Sequence, residues 1–324
     1  MNRARDGIVG LCVLFLIWGC AESSREGRPR EAIPARQVDV PQFDASRSYQ
    51  YLIRQTNFGP RSAGSAGHEQ CLQYLSAELR SLADTLELQP FSYSNSRIGT
   101  VALTNIVAHF SGGDAKRLLL MAHWDTRPWA DADANPNAHE LPIAGANDGA
   151  SGVAVLLELA RQFKAHAPPV GVSIVLVDGE DLGTSGKADS WCAGSKYFAS
   201  HLPAGLTFSS AINLDMVGDA ELLIKREQRS DKWAPEIADL IFKTAEELGI
   251  HQFSNSTGDD VIDDHVALNE VGIRAVDLID FDYPNAQKNY WHTMQDTPDK
   301  CSPESLSAVG TLLLHLLYSK HQQL

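Results

Sequence analysis

Two adjoining stretches of the chain, GASGVAVLLELARQFKAHA at residues 149–167 and VSIVLVD at residues 172–178, indicate the fold. The first stretch has apolar residues at helical spacing over the length of a long helix. The second is a short apolar run, which is typical of a strand buried on both faces. A long helix followed at once by a buried strand is the repeating unit of α/β proteins.

The same alternation continues on both sides of these two stretches. Further strands are predicted at LELQPFSYS (86–94), LTNIVAHFS (103–111), RLLLMAHWD (117–125), SSAINLD (209–215) and IRAVDLI (273–279), and further helices at residues 65–83, 195–201, 235–248 and 302–320. The pattern predicts an α/β fold, a three-layer sandwich with a central, mostly parallel (mixed) sheet flanked by helices. No helix separates the first two strands, so we expect them to pair antiparallel at an edge of the sheet.

Composition and charge limit the possible functions. Of the 324 residues, 44% are hydrophobic, which is enough for a large core. The formal net charge of -14 argues against nucleic acid as a partner and against a polybasic membrane patch. Cys71, Cys192 and Cys301 form no Cys-x-x-Cys pair, so neither a thiolate zinc site nor a dithiol redox motif is expected. Their disulfide state stays open.

The N-terminus has the pattern of an export signal. Arg3 and Arg5 precede an apolar run at residues 8–18 that is too short to span a bilayer. The run ends at Gly19-Cys20 and resembles a bacterial lipoprotein signal, in which Cys20 becomes the lipidated first residue. We therefore expect a signal peptide at 1–19, a tether at 20–44, a single catalytic domain at 45–324, and an exported, periplasmic, membrane-anchored protein. An ordinary cleaved signal and a cytoplasmic location are the alternatives.

Polar side chains follow the carboxyl ends of several predicted strands. The first group is His123 with Asp125, the second is the run Asp178-Gly179-Glu180-Asp181, and the third is Asp215. Open α/β sheets bind ligands outside the carboxyl ends of their strands. Two adjacent carboxylates directly after a buried strand repel each other, so we expect a cation beside Glu180 and Asp181.

Asp148 and His292 complete a set of metal ligands. Asp148 lies among glycines at the start of a predicted helix, where an N-cap role is the alternative to metal binding. His292 follows two aromatic residues and would add a neutral nitrogen donor to Asp148 and one acid of the Glu180-Asp181 pair. Two carboxylates and one imidazole leave a fourth position open, as in catalytic zinc sites.

Five motifs in this order resemble the zinc aminopeptidase-like superfamily, and within it the glutaminyl-peptide cyclotransferases (glutaminyl cyclases), especially the bacterial branch. They are HWDTRP (123–128), GANDGASGVAVLLELA (145–160), VDGEDLG (177–183), NLDMVGD (213–219) and WHTMQDTPD (291–299). The resemblance covers the chain from about residue 45 to the end. It implies zinc-dependent cyclisation of an N-terminal glutamine of peptides and proteins to pyroglutamate, with release of ammonia.

The resemblance also implies the metal site and the base. One zinc ion per chain would be held by Asp148, Asp181 and His292, and Glu180 would be the general base. The mammalian-type cyclase pair is Glu-Glu, whereas the ligand here is Asp181, which is one methylene shorter. The expected partners are N-terminal glutaminyl peptides and proteins, and the chain is expected to act as a monomer that meets the membrane only through Cys20.

Further residues follow from the same resemblance. Asp215 and Asp263 would form a hydrogen-bonded acidic relay near the leaving group, and Trp291 and Trp191 would bind the substrate as walls of a small pocket. For Trp191, core packing is the alternative. Asp277 stands where the mammalian pattern has a histidine, so the detailed geometry of the mammalian enzymes is not carried over.

Two other functions fit part of the same pattern. In di-zinc aminopeptidases of the superfamily, the residues equivalent to His123 and Asp215 hold a second metal, and both residue types are present here. A non-catalytic exported binding protein is the third possibility. The retained candidate base Glu180 and the retained ligands argue against it.

Overall fold

The computed structural model describes residues 39–111 and 116–324. The predicted signal peptide at 1–19 and Cys20 lie outside the described residues, as does most of the predicted tether. No helix in the described part of the chain is long and apolar enough to cross a membrane. The first described helix begins at Ala45, where the catalytic domain is predicted to begin.

The strands alternate with helices along the chain, as predicted. The strands are β1 (Thr85–Asn95), β2 (Gly99–Phe110), β3 (Lys116–His123), β4 (Gly171–Val177), β5 (Thr207–Asp215), β6 (Ile224–Arg226), β7 (Phe253–Thr257), β8 (Ala275–Ile279), β9 (Pro284–Asn285) and β10 (Lys288–Asn289). The α-helices are α1 (Ala45–Thr56), α2 (Ala66–Leu82), α3 (Ala150–Ala165), α4 (Ala193–Ser200), α5 (Gln228–Trp233), α6 (Pro235–Leu248), α7 (Asp264–Glu270) and α8 (Pro303–Ser319).

The central sheet has the order β1-β2-β4-β3-β5-β8. β4, β3, β5 and β8 run parallel to one another, whereas β2 pairs antiparallel with β4. β1 pairs antiparallel with β2 at the edge of the sheet, which confirms the expectation for the two strands without an intervening helix. The sheet is therefore mixed and mostly parallel.

Alternate residues of the strands face two different helix layers. In β3, Leu118 and Leu120 join the core cluster built with α1, α2, α3, α6 and α8. Their neighbours Leu119 and Met121 join a second cluster that includes residues of α4 and α7. Because successive side chains of a strand point to opposite faces, the helices cover both faces of the sheet. The predicted three-layer sandwich is confirmed.

A close contact between α3 and β5 sets the position of the loop before α3. A Cβ atom on Gly152 would lie 2.3 Å from the carbonyl oxygen of Leu214, so the helix packs directly on the strand backbone. Gly149, the N-cap of α3, has φ +100°, and a Cβ there would lie 2.4 Å from the carbonyl oxygen of Asp125. Glycine is needed at both positions, and the contact brings residue 148 to the carboxyl ends of the strands.

Candidate active site

A cavity of about 530 Å³ lies at the carboxyl ends of the parallel strands. All eight residues predicted to take part in metal binding, catalysis or substrate binding border it: Asp148, Glu180, Asp181, Trp191, Asp215, Asp263, Trp291 and His292. They come from six separate segments of the chain. The position matches the rule that α/β sheets bind ligands at this end of their strands.

Asp125 positions the Glu180-Asp181 pair. Its two carboxylate oxygens accept hydrogen bonds from the backbone N–H groups of Glu180 at 3.1 Å and Asp181 at 3.2 Å. Gly179 adopts φ +78°, and residues Glu180–Leu182 form a short 3₁₀ turn directly after β4. The buried strand therefore ends in a turn that is fixed at its backbone, and both acids are buried.

Asp148 is held by a different carboxylate, that of Asp296. Asp296 accepts the backbone N–H groups of Asn147 at 2.8 Å and Asp148 at 3.1 Å, and the Tyr283 hydroxyl donates to it at 2.9 Å. The N-cap of α3 is Gly149, which makes no side-chain capping bond, so the N-cap alternative for Asp148 is wrong. The Asp148 side chain is free to face the cavity.

The three predicted metal ligands lie close together. His292 Nε2 lies 2.9 Å from Asp181 Oδ1 and 3.5 Å from Asp148 Oδ2. Asp148 Oδ2 and Asp181 Oδ2 are buried and have no hydrogen-bond partner within the described residues. Buried carboxylate oxygens without a donor are strongly unfavourable unless a cation balances them. The unpaired oxygens and the imidazole nitrogen fit a divalent metal such as zinc.

His123 lies on the other side of Asp148. Its Nε2 atom is 3.2 Å from Asp148 Oδ1 and 3.1 Å from Asp215 Oδ1, and its ring is fully buried. Ligand atoms of His123, Asp148 and Asp181 also lie close enough together to hold a metal ion. Asp148 therefore stands between two histidines, so the geometry offers a second metal position as well as the first.

Burial and neighbouring charges change the pKa values of these groups. Burial, together with the charge of Asp181, raises the pKa of Asp148 to about 6. Burial and the charge of Asp181 also hold the pKa of Glu180 well above its usual value. Burial lowers the pKa of His292, but the charge of Asp181 and hydrogen bonds to Asp131 and Asp181 outweigh it and raise that pKa to about 9.

Two tryptophans form walls of the cavity, as predicted. The Trp291 ring lies against the His292 ring with centroids 3.6 Å apart and contacts Phe281 at 5.2 Å. Trp191 packs on the guanidinium of Arg127 at 4.6 Å and also borders the cavity. Both indoles are therefore placed to contact a substrate.

The predicted hydrogen-bonded relay between Asp215 and Asp263 needs a correction. Asp215 bonds to His123, whereas Asp263 accepts a hydrogen bond from Asn213 Nδ2 at 2.9 Å, and Asn213 also donates to Asp277 at 3.1 Å. Burial and the charge of Asp263 raise the pKa of Asp215, so the two acids interact through their charges. Asn213, the side-chain donor to Asp263, does not border the cavity.

Asp131 was not recognised in the sequence, although it contacts the metal-ligand group. It lies 3.5 Å from His292 Nδ1, and Arg127 donates to both of its carboxylate oxygens. Arg127 also donates to the backbone carbonyl of Asp181 at 2.9 Å. A carboxylate behind a ligating histidine is a common supporting element of metal sites. The four-residue spacing from Arg127 to Asp131 was the available signal, and it is too frequent on protein surfaces to be specific.

Comparison with known proteins agrees with the motif resemblance. The chain is 36% identical to the solved glutaminyl cyclase of Bacteroides thetaiotaomicron bound to N-acetylhistamine, covering 87% of this chain and 99% of that one, with a TM-score of 0.83. A structure described as a leucine aminopeptidase precursor from the same organism matches with the same identity, coverage and TM-score. A glutaminyl-peptide cyclotransferase-like protein of Bos taurus is 28% identical over 341 residues, covering 93% of this chain and 85% of that protein.

The family model of peptidase family M28 matches residues 105–317. The matched segment runs from β2 to α8 and includes all eight predicted site residues. It spans well over half of the 324 residues. The chain belongs to peptidase family M28.

Proposed function

We propose that this protein cyclises the N-terminal glutamine of peptides and proteins to pyroglutamate and releases ammonia. The observation that carries the proposal is the similarity to a solved glutaminyl cyclase over nearly the whole of that chain. The site supports it, because the residues that the cyclase resemblance assigns all border one cavity.

We assign one zinc ion per chain to Asp148, Asp181 and His292. A zinc ion bound there supplies a Lewis acid that polarises the carbonyl of the glutamine side-chain amide. We expect metal analysis to find one tightly bound zinc per chain, and chelation to abolish activity. Two equally tight zinc ions would favour the aminopeptidase alternative.

The residues of the chain orient the substrate and move a proton. The attacking amine and the amide carbon belong to the same substrate residue, so correct orientation supplies much of the rate. Trp291 and Trp191 exclude water and contact the flat amide. Glu180 takes a proton from the attacking α-amine and returns it to the nitrogen that leaves as ammonia. The raised pKa of Glu180 makes its carboxylate a stronger base.

Asp215 and Asp263 support this proton transfer. Both border the cavity, and the charge of Asp263 is among the causes that raise the pKa of Glu180. Asp263 is fixed by its hydrogen bond from Asn213 and Asp215 by its contact with His123. We propose that the two acids keep the region near the leaving nitrogen negative and so favour the protonated leaving group.

Hydrolysis of N-terminal residues by two zinc ions is the alternative function. Its specific support is His123, which lies within 3.2 Å of both Asp148 and Asp215. Assays with a glutaminyl peptide and a leucyl peptide separate the two functions. A cyclase releases ammonia from the first and leaves the second unchanged, whereas an aminopeptidase releases free leucine.

We also propose that the protein is exported, anchored by a lipid on Cys20 and active as a monomer. The support for export is the basic start and short apolar run that end at Gly19-Cys20. The mature protein should partition with detergent, and Cys20→Ser should release it or impair its processing. An unmodified chain cut at another position would disprove lipidation and leave export possible. Sedimentation of the detergent-free domain at the mass of two chains would disprove the monomer.

A further inference from the structure

A second group of possible metal ligands lies beside the catalytic base. Atoms of Glu180, Cys192 and Asp263 all lie within 4.8 Å of one another, and all three residues are buried. Glu180 and Asp263 border the cavity, and Cys192 lies directly after Trp191, which also borders it. A small cation in the cavity can therefore reach the two carboxylates, and the buried Cys192 thiol lies 3.4 Å from one of them, at Glu180 Oε1.

The positions of the sulfur and oxygen atoms suit a tetrahedral metal. Cys192 Sγ is 3.4 Å from Glu180 Oε1. Two ligands that bind zinc at about 2.3 Å for sulfur and about 2.0 Å for oxygen lie about 3.5 Å apart at a tetrahedral angle. The thiol and the carboxylate are thus already at the separation that a shared metal requires.

The Glu180 carboxylate in this group has few hydrogen-bond donors. The Glu180 side chain is only 7% exposed, yet the one side-chain hydrogen bond to it within the described residues is the weak one from the Cys192 thiol. Its second oxygen has no donor in that part of the chain. That oxygen is reached from the cavity, so a cation in the cavity can bind it without displacing a protein donor.

The backbone holds Cys192 and Glu180 together. The N–H of Cys192 donates to the carbonyl of Glu180 at 3.0 Å, and the N–H of Ala193 donates to that of Gly179 at 3.2 Å. Asp263 is fixed by Asn213. The three side chains therefore reach the same point without a change of fold.

We propose that Glu180, Cys192 and Asp263 form a second, inhibitory site for thiophilic divalent cations such as Cd²⁺ or excess Zn²⁺. Binding displaces the thiol proton to solvent, and the metal then bonds to the thiolate sulfur and to oxygens of both carboxylates. A metal bound to Glu180 prevents its carboxylate from taking the proton from the substrate, so activity falls. The inhibition rests on the proposed function, whereas the binding does not.

The site differs in chemistry from the group that includes His292. The catalytic ligands are oxygen and nitrogen atoms, whereas the inhibitory site contains a thiolate, which is preferred by soft metals. Of these two sites, only the inhibitory one contains a thiolate that can give the ultraviolet charge-transfer absorption of a cadmium–thiolate bond. This absorption reports binding directly and does not depend on any assay of turnover.

The test is a titration of the zinc-loaded full chain with Cd²⁺, following absorption and activity together. We expect one cadmium–thiolate band that grows with the loss of activity and disappears in Cys192→Ser. Cys71→Ala is the matched control, because Cys71 is another buried thiol that is not grouped with Glu180 and Asp263, and it should keep both the band and the inhibition. Glu180→Gln should retain the Cys192 thiol, but we expect its affinity for Cd²⁺ to fall by about tenfold or more.

Two results would overturn the proposal. The first is a band and an inhibition that are unchanged in Cys192→Ser. The second is inhibition that is lost in His123→Ala but retained in Cys192→Ser, which would place the inhibitory metal beside His123 and Asp215. If the band behaves as expected in an enzyme without cyclase activity, the metal site stands and only the proposed function fails.

Discussion

At the scale of single residues, Glu180 and Asp181 are adjacent in the chain but face different partners. Asp181 contacts His292 at 2.9 Å, whereas Glu180 faces the Cys192 thiol and the cavity. We therefore expect Glu180→Gln to keep its zinc and to lose about 10²- to 10⁴-fold in turnover, the usual contribution of a general base. Asp181→Asn should lose zinc affinity itself.

Zinc titration and steady-state kinetics on the two variants check this assignment. Glu180 and Asp181 share the same turn, so each variant serves as the other's control for folding. If Glu180→Gln loses the metal and Asp181→Asn retains it, the roles of the two carboxylates are reversed.

Asp131 carries a second prediction at this scale. It lies 3.5 Å from His292 Nδ1 and is fixed by Arg127, so it orients the imidazole. Asp131→Asn should weaken zinc binding by about 10- to 100-fold, as is typical for a carboxylate behind a ligating histidine. Asp189→Asn, at an exposed acid near the same cavity, is the control and should bind zinc like the parent. Equal zinc affinity in Asp131→Asn and Asp189→Asn would remove Asp131 from the metal site.

At the scale of elements, the contact of α3 with β5 determines where Asp148 lies. Because a Cβ on Gly152 would lie 2.3 Å from the Leu214 carbonyl oxygen, Gly152→Ala must move the helix off the strand. We expect a loss of about 2 kcal/mol or more in the free energy of unfolding by urea, together with lower activity. Gly205→Ala is the control, because no atom lies within 4 Å of its Cβ and only φ +78° is unfavourable, at about 1 kcal/mol. A Gly152→Ala protein as stable as the parent would contradict the close packing.

The sequence predicted most elements because their patterns are strong. The α6 helix spans Pro235–Leu248 as predicted, and α3 is one to two residues shorter at each end than the predicted 149–167. α1, α5 and α7 were missed, as was the small sheet of β6 and β7. The segments α5, α7, β6 and β7 are short, and much of their order comes from tertiary contacts that local periodicity does not encode.

The same distinction between local sequence patterns and tertiary contacts holds for the site. Ligand types were visible in the sequence because several follow strands whose ends must meet at one edge of the sheet. The supporting contacts of Asp131 and Asp296 were not visible, since each joins loops far apart in sequence. Asp296, for example, accepts the backbone N–H of Asp148 from 148 residues away. Such contacts depend on the packed fold.

At the scale of the whole molecule, several acids are buried in a chain of net charge -14. Asp280 is one that lies outside the metal-ligand group, and burial raises its pKa from 3.8 to about 6. The folded state therefore binds this proton more tightly than the unfolded chain. The resulting stabilisation is complete below pH 3.8 and is lost as the pH rises through about 6.

Comparison with Asp280→Asn isolates this contribution. The free energy of unfolding of the parent minus that of the variant should fall by about 1 kcal/mol between about pH 5 and about pH 8. The variant also loses one hydrogen-bond acceptor, but this loss is the same at every pH. It therefore cancels when the difference in free energy of unfolding is compared between two pH values. A difference that does not change with pH would mean that Asp280 keeps an ordinary pKa in the folded protein.

The reaction itself is tested most directly by the mass of the product formed from a glutaminyl peptide in water labelled with heavy oxygen. Cyclisation uses the amine of the substrate, so we predict a peptide that is lighter by one ammonia and carries no label. Labelled free glutamine with a shortened peptide would show hydrolysis at the peptide bond. That result would contradict the cyclase function and favour the di-zinc aminopeptidase alternative.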